Sequence, residues 1–255
     1  MRAVVLRRDG LRWPFPPALG EQLSGQTIGL TGRRGKYLLI GFEHGTLIIH
    51  LGMSGHLRVL PADTAVRTHD HFDLVLAGDA GSQALRLHDP RRFGAVLWHA
   101  NDDGELDQHV LLRGLGVEPL EDGFSGALLF RASRGRSAPV KQFLLGGDIV
   151  VGVGNIYACE SLFAAGINPK TAAGRIGRAR YDKLAAAIRR ILAEAIVQGG
   201  STLRDFIAVN GQSGYFQQTY FVYDRAGVPC RNCGTPIRQI KQGQRSTFYC
   251  VQCQK

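Results

Sequence analysis

Acidic residues are scarce: 21 Asp and Glu stand against 31 Lys and Arg, which leaves a formal charge of +10 on 255 residues. An excess of that size suits a polyanionic partner, because each phosphate neutralised releases a condensed counterion. A merely soluble basic protein stays open on charge alone. Long apolar runs are also lacking. No stretch approaches the roughly 18 apolar residues of a membrane helix, and the opening MRAVVLRRDGLRWPF sets arginines where a secretion signal needs its apolar core. These absences predict a cytoplasmic chain with no membrane partner, in a reducing compartment where clustered cysteines bind metal more often than they pair. Internal repeats and low-complexity tracts are missing as well. What is present, 44% apolar and 20% charged residues, excludes global disorder. The length suits two modest domains with a small appendage, or one large domain.

The first hundred or so residues read as β-structure. KYLLIGF (36–42), GTLIIHLGM (45–53) and HFDLVLAG (71–78) are short apolar runs separated by turn residues. LRLHDPRRFGAVLWH (85–99) holds two more strands around a DPRRFG loop. Strands at this spacing predict a sandwich or barrel. Residues 101–124 are polar and Gly-rich and read as a linker. From about 125 to 208 the pattern turns helical. IYACESLFAAG (156–166) stops at Gly166, ARYDKLAAAIRRILAEAIVQGG (179–200) keeps a 3.6-residue apolar stripe, and STLRDFI (201–207) restarts with Ser201 as N-cap.

The last stretch, 225–255, carries six Lys or Arg, no acid and four cysteines. Cys230-x2-Cys233 and Cys250-x2-Cys253 are separated by sixteen residues, the window of a four-cysteine zinc site. Four thiolates make a closed tetrahedral shell, so the one zinc they bind stabilises a fold and does no chemistry. Two disulfides or a redox pair are the alternatives, and both suit a cytosolic chain poorly. Cys159 stands apart on a predicted helix and reads as a small buried residue. So small a finger has almost no core of its own, and the metal must supply most of its folding energy. Arg238, Lys241 and Arg245 make its hairpin basic, suited to a DNA groove or simply to solvent.

HLGMSGHLRVL, HDHFDLVL, DPRRFGAVLW, VVGVGNIYACESLFAAGINP and QRSTFYCVQCQK resemble the formamidopyrimidine-DNA glycosylases, bacterial base-excision enzymes for oxidised purines. The likeness runs from about Leu11 to Lys255. It implies an α+β multidomain chain: a β-sandwich over 1–110, a helix-two-turn-helix domain over 122–222 and a zinc finger over 225–255. It also implies a lesion base flipped from damaged double-stranded DNA, cleavage of its glycosidic bond, and β,δ-elimination at the abasic site. Nothing gives reason to expect more than a monomer.

The same resemblance implies roles residue by residue. Lys36, in GRRGKYLL, matches the family's lysine assigned to proton transfer in β-elimination. Without the motif it would be a solvated charge. Arg245, in QRSTFYC, matches the finger-tip arginine assigned to δ-elimination, whose guanidinium clamps a phosphate through two parallel hydrogen bonds. Met53, Arg91 and Phe93 match the residues that fill the gap left by the flipped nucleotide and offset its lost stacking. Two sandwich loops could present them side by side. His69, Lys141 and Asn155 match positions that hold the DNA backbone. Lys141 follows Arg131, Arg134 and Arg136 in a phosphate-tracking stripe, Asn155 lies where a helix start offers N–H groups to phosphate, and His69 could equally be a turn histidine.

Family members begin with a proline, whose amine attacks the sugar C1′, followed by a glutamate acting as acid and base. Here the chain opens Met1-Arg2-Ala3-Val4-Val5, matching the family's first strand. Either the start is set too far downstream, or the chain as written is a damage-binding protein. In both cases the polypeptide as written is expected to be catalytically impaired while still folding around zinc and binding abasic or gapped duplex. Two other functions compete: an endonuclease VIII-type glycosylase for oxidised pyrimidines, and a non-catalytic DNA-binding protein such as a zinc-ribbon module. GQSGYFQQTYFVY (211–223), read as a lesion-capping loop, favours the purine-lesion type.

Overall fold

A computed structural model describes residues 1–78, 81–200 and 220–255. These divide into two compact units, residues 1–113 and residues 114–200 with 220–255. The expected helix over 201–207 and most of the expected capping loop lie outside the described residues.

The first unit is built from two four-stranded antiparallel sheets. One orders its strands as β1 (Ala3–Leu6), β6 (Asp70–Gly78), β7 (Gly81–His88) and β5 (His56–Pro61). The other runs β2 (Thr31–Arg34), β3 (Tyr37–Phe42), β4 (Gly45–His50) and β8 (Ala95–Ala100). The two-residue period of a strand puts Leu47 and Ile49 on one face, where they share a buried cluster with Phe72, Leu74 and Leu87 of the other sheet. Each such side chain contributes about 1.5–3 kcal/mol on burial. A short helix, α1 (Leu19–Leu23), closes the same core with Leu19 and Leu23, one turn apart and both buried. Arg86 clamps Asp73 with two hydrogen bonds of 2.9 Å, and Arg7, just past β1, donates to the same carboxylate at 2.5 Å. That buried network ties β1, β6 and β7 together.

Residues 101–124 are less of a bare linker than their composition predicts. Short 3-10 turns cover Asn101–Asp103 and Leu106–Gln108, Leu112 is buried, and Val117 bridges Val150. The cause is tertiary: a polar segment with a few apolar residues is pinned wherever those residues find a core.

The second unit contains α2 (Gly126–Ser133), α3 (Val140–Leu145), α4 (Asn155–Ala164) and α5 (Arg178–Val197). Ser125 caps α2 by accepting from the Leu128 N–H. A Cβ on Gly126 would sit 2.5 Å from the Asp182 Cα, so only glycine lets α2 approach α5 this closely. The expected stop at Gly166 holds, with φ +67 just past α4. β9 (Arg238–Gln242) and β10 (Arg245–Tyr249) form a hairpin whose turn, Gly243-Gln244, has positive φ at both residues. That is the turn a twisted two-residue hairpin requires.

Candidate nucleic-acid interface and zinc centre

In the first unit, the loop between β4 and β5 carries Met53, and the loop between β7 and β8 carries Arg91 and Phe93. The two loops lie against each other. Gly52, at φ +67, has the Phe93 carbonyl carbon 2.6 Å from where a Cβ would be, so any side chain there would push them apart. Asp89 fastens them. Fully buried, it accepts from the Ser54 hydroxyl at 3.1 Å and from the Gly94 N–H at 2.8 Å, while the Ser54 oxygen accepts from the Arg91 N–H at 3.3 Å. Met53 and Phe93 remain 62% and 45% exposed, and the Arg91 guanidinium covers the Phe93 ring at 5.0 Å. Two large apolar side chains thus stand in the open on braced loops, beside an arginine. Nothing local to DPRRFG or HLGMSG identifies Asp89 or Ser54 as the brace, because the bond between them joins residues far apart in the chain.

Lys36 occupies the second central position of a two-residue turn between β2 and β3, after Gly35 at φ +58. It is exposed and close enough to His50 to depress its basicity. His50, absent from the sequence-based set, ends β4. Its ring lies 4.9 Å from that of Tyr37, and its Nδ1 accepts from the Gly52 N–H at 3.0 Å. Burial first, then the charges of Lys36 and Arg12, hold its pKa below 6.5. The neutral ring therefore carries its proton on Nε2. His69 is exposed at φ +77, its carbonyl accepting from the Asp89 N–H at 3.0 Å.

In the second unit, Lys141 and Asn155 converge on the finger. The Lys141 Nζ donates to the Thr247 Oγ1 at 2.6 Å and to the Ser246 carbonyl at 2.9 Å, and the Asn155 Nδ2 donates to the same carbonyl at 3.0 Å. Ser246 directly follows Arg245, so both residues support the strand that begins with that arginine. A solvent-facing phosphate stripe does not describe Lys141, which is 1% exposed. Burial, the largest influence, and then the Arg245 charge lower its pKa below 10.5 against the pull of Cys159. The Asn155 Oδ1 is buried without a partner among the described residues. A third brace has no local sequence signal: the buried Glu160 carboxylate accepts from the backbone N–H groups of Phe221, Val222 and Tyr223 at 2.8–3.0 Å.

The four finger thiols are gathered as their spacing predicts. All four Sγ atoms lie within 4.8 Å of one another, with Cys230–Cys253 at 3.9 Å and Cys233–Cys250 and Cys233–Cys253 at 3.5 Å. Tetrahedral zinc with bonds of about 2.3 Å needs sulfur–sulfur edges of about 3.8 Å. The residues fit one zinc ion with no position left for water. Cys159 is buried beside Cys230 and Cys250 in the finger's apolar cluster and belongs to the packing.

Three family models match successive parts of the chain. The formamidopyrimidine-DNA glycosylase N-terminal domain matches residues 1–96, the formamidopyrimidine-DNA glycosylase H2TH domain residues 115–207, and the zinc finger found in FPG and IleRS residues 227–255. A formamidopyrimidine-DNA glycosylase of Janthinobacterium sp. (strain Marseille) is 69% identical over 252 residues, 99% of this chain and 91% of that protein. One from Ralstonia nicotianae is 60% identical over 266 aligned residues, covering 100% and 92%. Among solved structures, the Lactococcus lactis Fpg in complex with abasic-site DNA superposes with a TM-score of 0.89 at 31% identity, covering 99% of this chain and 91% of that one. The MutM (Fpg) protein of Thermus thermophilus gives 0.85 at 36% identity, covering 99% and 90%.

Proposed function

The chain belongs to the formamidopyrimidine-DNA glycosylase family, and from that premise we propose that its machinery removes oxidised purines, 8-oxoguanine and formamidopyrimidines, from duplex DNA and opens the abasic site by β,δ-elimination. Membership makes it a base-excision DNA glycosylase and abasic-site lyase with a structural zinc. The observation that carries the finer reading is the pair of loops braced by Asp89, which hold Met53, Arg91 and Phe93 outward together. Extruding a nucleotide costs a few kcal/mol of stacking and pairing, and three side chains inserted together offset part of that cost.

Arg245 takes the phosphate beside the lesion, and Lys141 and Asn155 hold the neighbouring Ser246 carbonyl so that the guanidinium meets it in a fixed pose. Asn155 keeps its Oδ1, without a partner among the described residues, and the N–H groups at the start of α4 close to the same place. Lys36, at its hairpin tip beside His50, moves the proton in β-elimination, and His69 holds backbone. Cys230, Cys233, Cys250 and Cys253 would hold one zinc ion, which would supply the crosslink that keeps the hairpin rigid. The protein acts as a monomer on the nucleoid.

The family's attacking amine belongs to a proline followed by glutamate, and the 255 residues here open Met1-Arg2. The Met1 amine donates to the Gln26 carbonyl at 2.6 Å. The test of substrate class is excision by the chain carrying a Pro-Glu start. Release of 8-oxoguanine opposite cytosine in preference to thymine glycol supports the proposal. The reverse order makes it an endonuclease VIII-type enzyme, and binding without release makes it a damage-binding protein.

A further inference from the structure

Both wedge loops are rooted in histidine. His56 follows the Met53 loop as the first residue of β5, and His88 precedes the Arg91–Phe93 loop as the last residue of β7. The two are direct cross-strand partners, and their rings lie 4.8 Å apart with a 38° tilt. Asp70, the first residue of β6, is opposite His88 and its Oδ1 lies 2.8 Å from the His88 Nδ1. A carboxylate only accepts, so this bond fixes a proton on the His88 Nδ1. His56 hydrogen-bonds the Ser54 backbone, in the same loop turn that Asp89 grips, and its Nδ1 is buried without a partner among the described residues. Each histidine thus touches the base of one loop, and each touches the other.

The surroundings set how much charge the pair can carry. Arg58 faces it from β5 and Arg86 from β7, while His69 turns its ring edge to His88 at 5.9 Å. Behind His69 stands His71, which meets the Asp89 carbonyl at 3.1 Å and faces Arg8. Against these cations and imidazoles stand Asp70, already engaged with the Arg67 N–H at 2.8 Å, and Asp89, engaged with Ser54 and Gly94. One carboxylate in contact with the pair balances one proton. A second proton would set two imidazolium rings 4.8 Å apart in a half-buried, cation-rich pocket, where like charges repel strongly.

We propose that His56 and His88 are positioning residues for the loops carrying Met53, Arg91 and Phe93, and that they hold those loops in the lesion-binding pose only while the stacked pair carries no more than one proton. This rests on the reading of those loops as the wedge that fills the flipped nucleotide's place. It adds a pH dependence of unusual sign. Ordinary DNA binding strengthens in acid, because every histidine gained is a cation. Here the lesion-specific part weakens in acid, because the proton that adds charge splays the wedge. Burial, followed by the charges of His88 and Arg58, keeps the His56 pKa below 6.5, so the loss occurs below that pH.

The test is the affinity of the zinc-loaded protein, between pH 8 and 5.5 at constant ionic strength, for a duplex with a tetrahydrofuran abasic analogue and for the same duplex undamaged. The wild-type preference for the analogue is expected to fall below pH 6.5, approaching about tenfold per pH unit for one linked proton. His88→Asn keeps a donor toward Asp70 without a titrating ring, and His56→Gln does the same toward Ser54. Each variant should flatten the fall, and its melting temperature reports that it has folded. A variant that lowers affinity equally at every pH, with the wild-type slope intact, overturns the proposal. Absence of any preference for the analogue at every pH overturns the wedge reading on which it rests.

Discussion

The ammonium of Lys141 lies 2.6 Å from the Thr247 hydroxyl, and both residues are shut away from solvent. They are 106 positions apart, one on α3 and the other on β10, so this bond joins the helical part of the second unit to its finger. A buried ammonium is costly unless its donors are used, and here two of the three go to Thr247 and the Ser246 carbonyl. Lys141, expected from sequence to meet phosphate, thus braces the strand that begins with Arg245.

Lys141→Met removes that strut and keeps the volume. The Thr247 hydroxyl loses its bond to Lys141 while the Ser246 carbonyl keeps Asn155, a loss of about 1–3 kcal/mol for a buried group left unmade. Denaturant unfolding of the zinc-loaded protein should register it. The salt slope of DNA binding should stay close to wild type, since no phosphate contact has been lost. A slope reduced by about one unit would return Lys141 to the DNA.

Asp89→Asn separates the wedge loops by chemistry rather than size. One amide oxygen cannot accept from both Ser54 and Gly94 as two carboxylate oxygens do, and the NH2 group would face a donor. Stability should fall by about 1–3 kcal/mol. Affinity for abasic duplex should fall by about tenfold or more, and affinity for undamaged duplex much less. Equal losses on both duplexes would show that the loops do not read the lesion.

Met53→Ala and Phe93→Ala should leave stability almost unchanged. Both side chains are largely exposed, so unfolding free energy should change by no more than about 0.5 kcal/mol. Lesion binding should weaken by about tenfold for each, because the open stack is left unfilled. Thermal melts beside gel-shift titrations separate the two effects, and a large drop in melting temperature would make these residues core after all.

The purified protein should contain one zinc per chain by elemental analysis. Chelation should unfold the finger and abolish DNA binding while the β-sheet signal of the first unit persists in circular dichroism. Cys233→Ser should behave like the chelated protein. A metal-free preparation that melts and binds like the loaded one would contradict a structural site.

Much of this was legible in the residues. Alternating apolar runs marked β3, β4 and β6, the cysteine spacing marked the finger, and DPRRFG marked the loop between β7 and β8. These signals are local, carried by a period of two or by fixed turn chemistry. Partners far apart in the chain were not legible. Nothing near Lys141 announces Thr247, nothing near Glu160 announces the backbone of residues 221–223, and Asp89 gives no sign that it reaches Ser54. α1 was missed because its short apolar pair, Leu19 and Leu23, is too brief to establish a helical period. His50 sat inside a strand run, and its closeness to Lys36 comes only from pairing β3 with β4.

The central claim is that the paired loops carrying Met53, Arg91 and Phe93 serve a glycosylase for oxidised purines. Base release by the protein carrying the family's Pro-Glu start, from duplexes containing 8-oxoguanine opposite cytosine or thymine glycol, tests it most directly. The account predicts release of 8-oxoguanine well ahead of thymine glycol. Faster release of thymine glycol would contradict it.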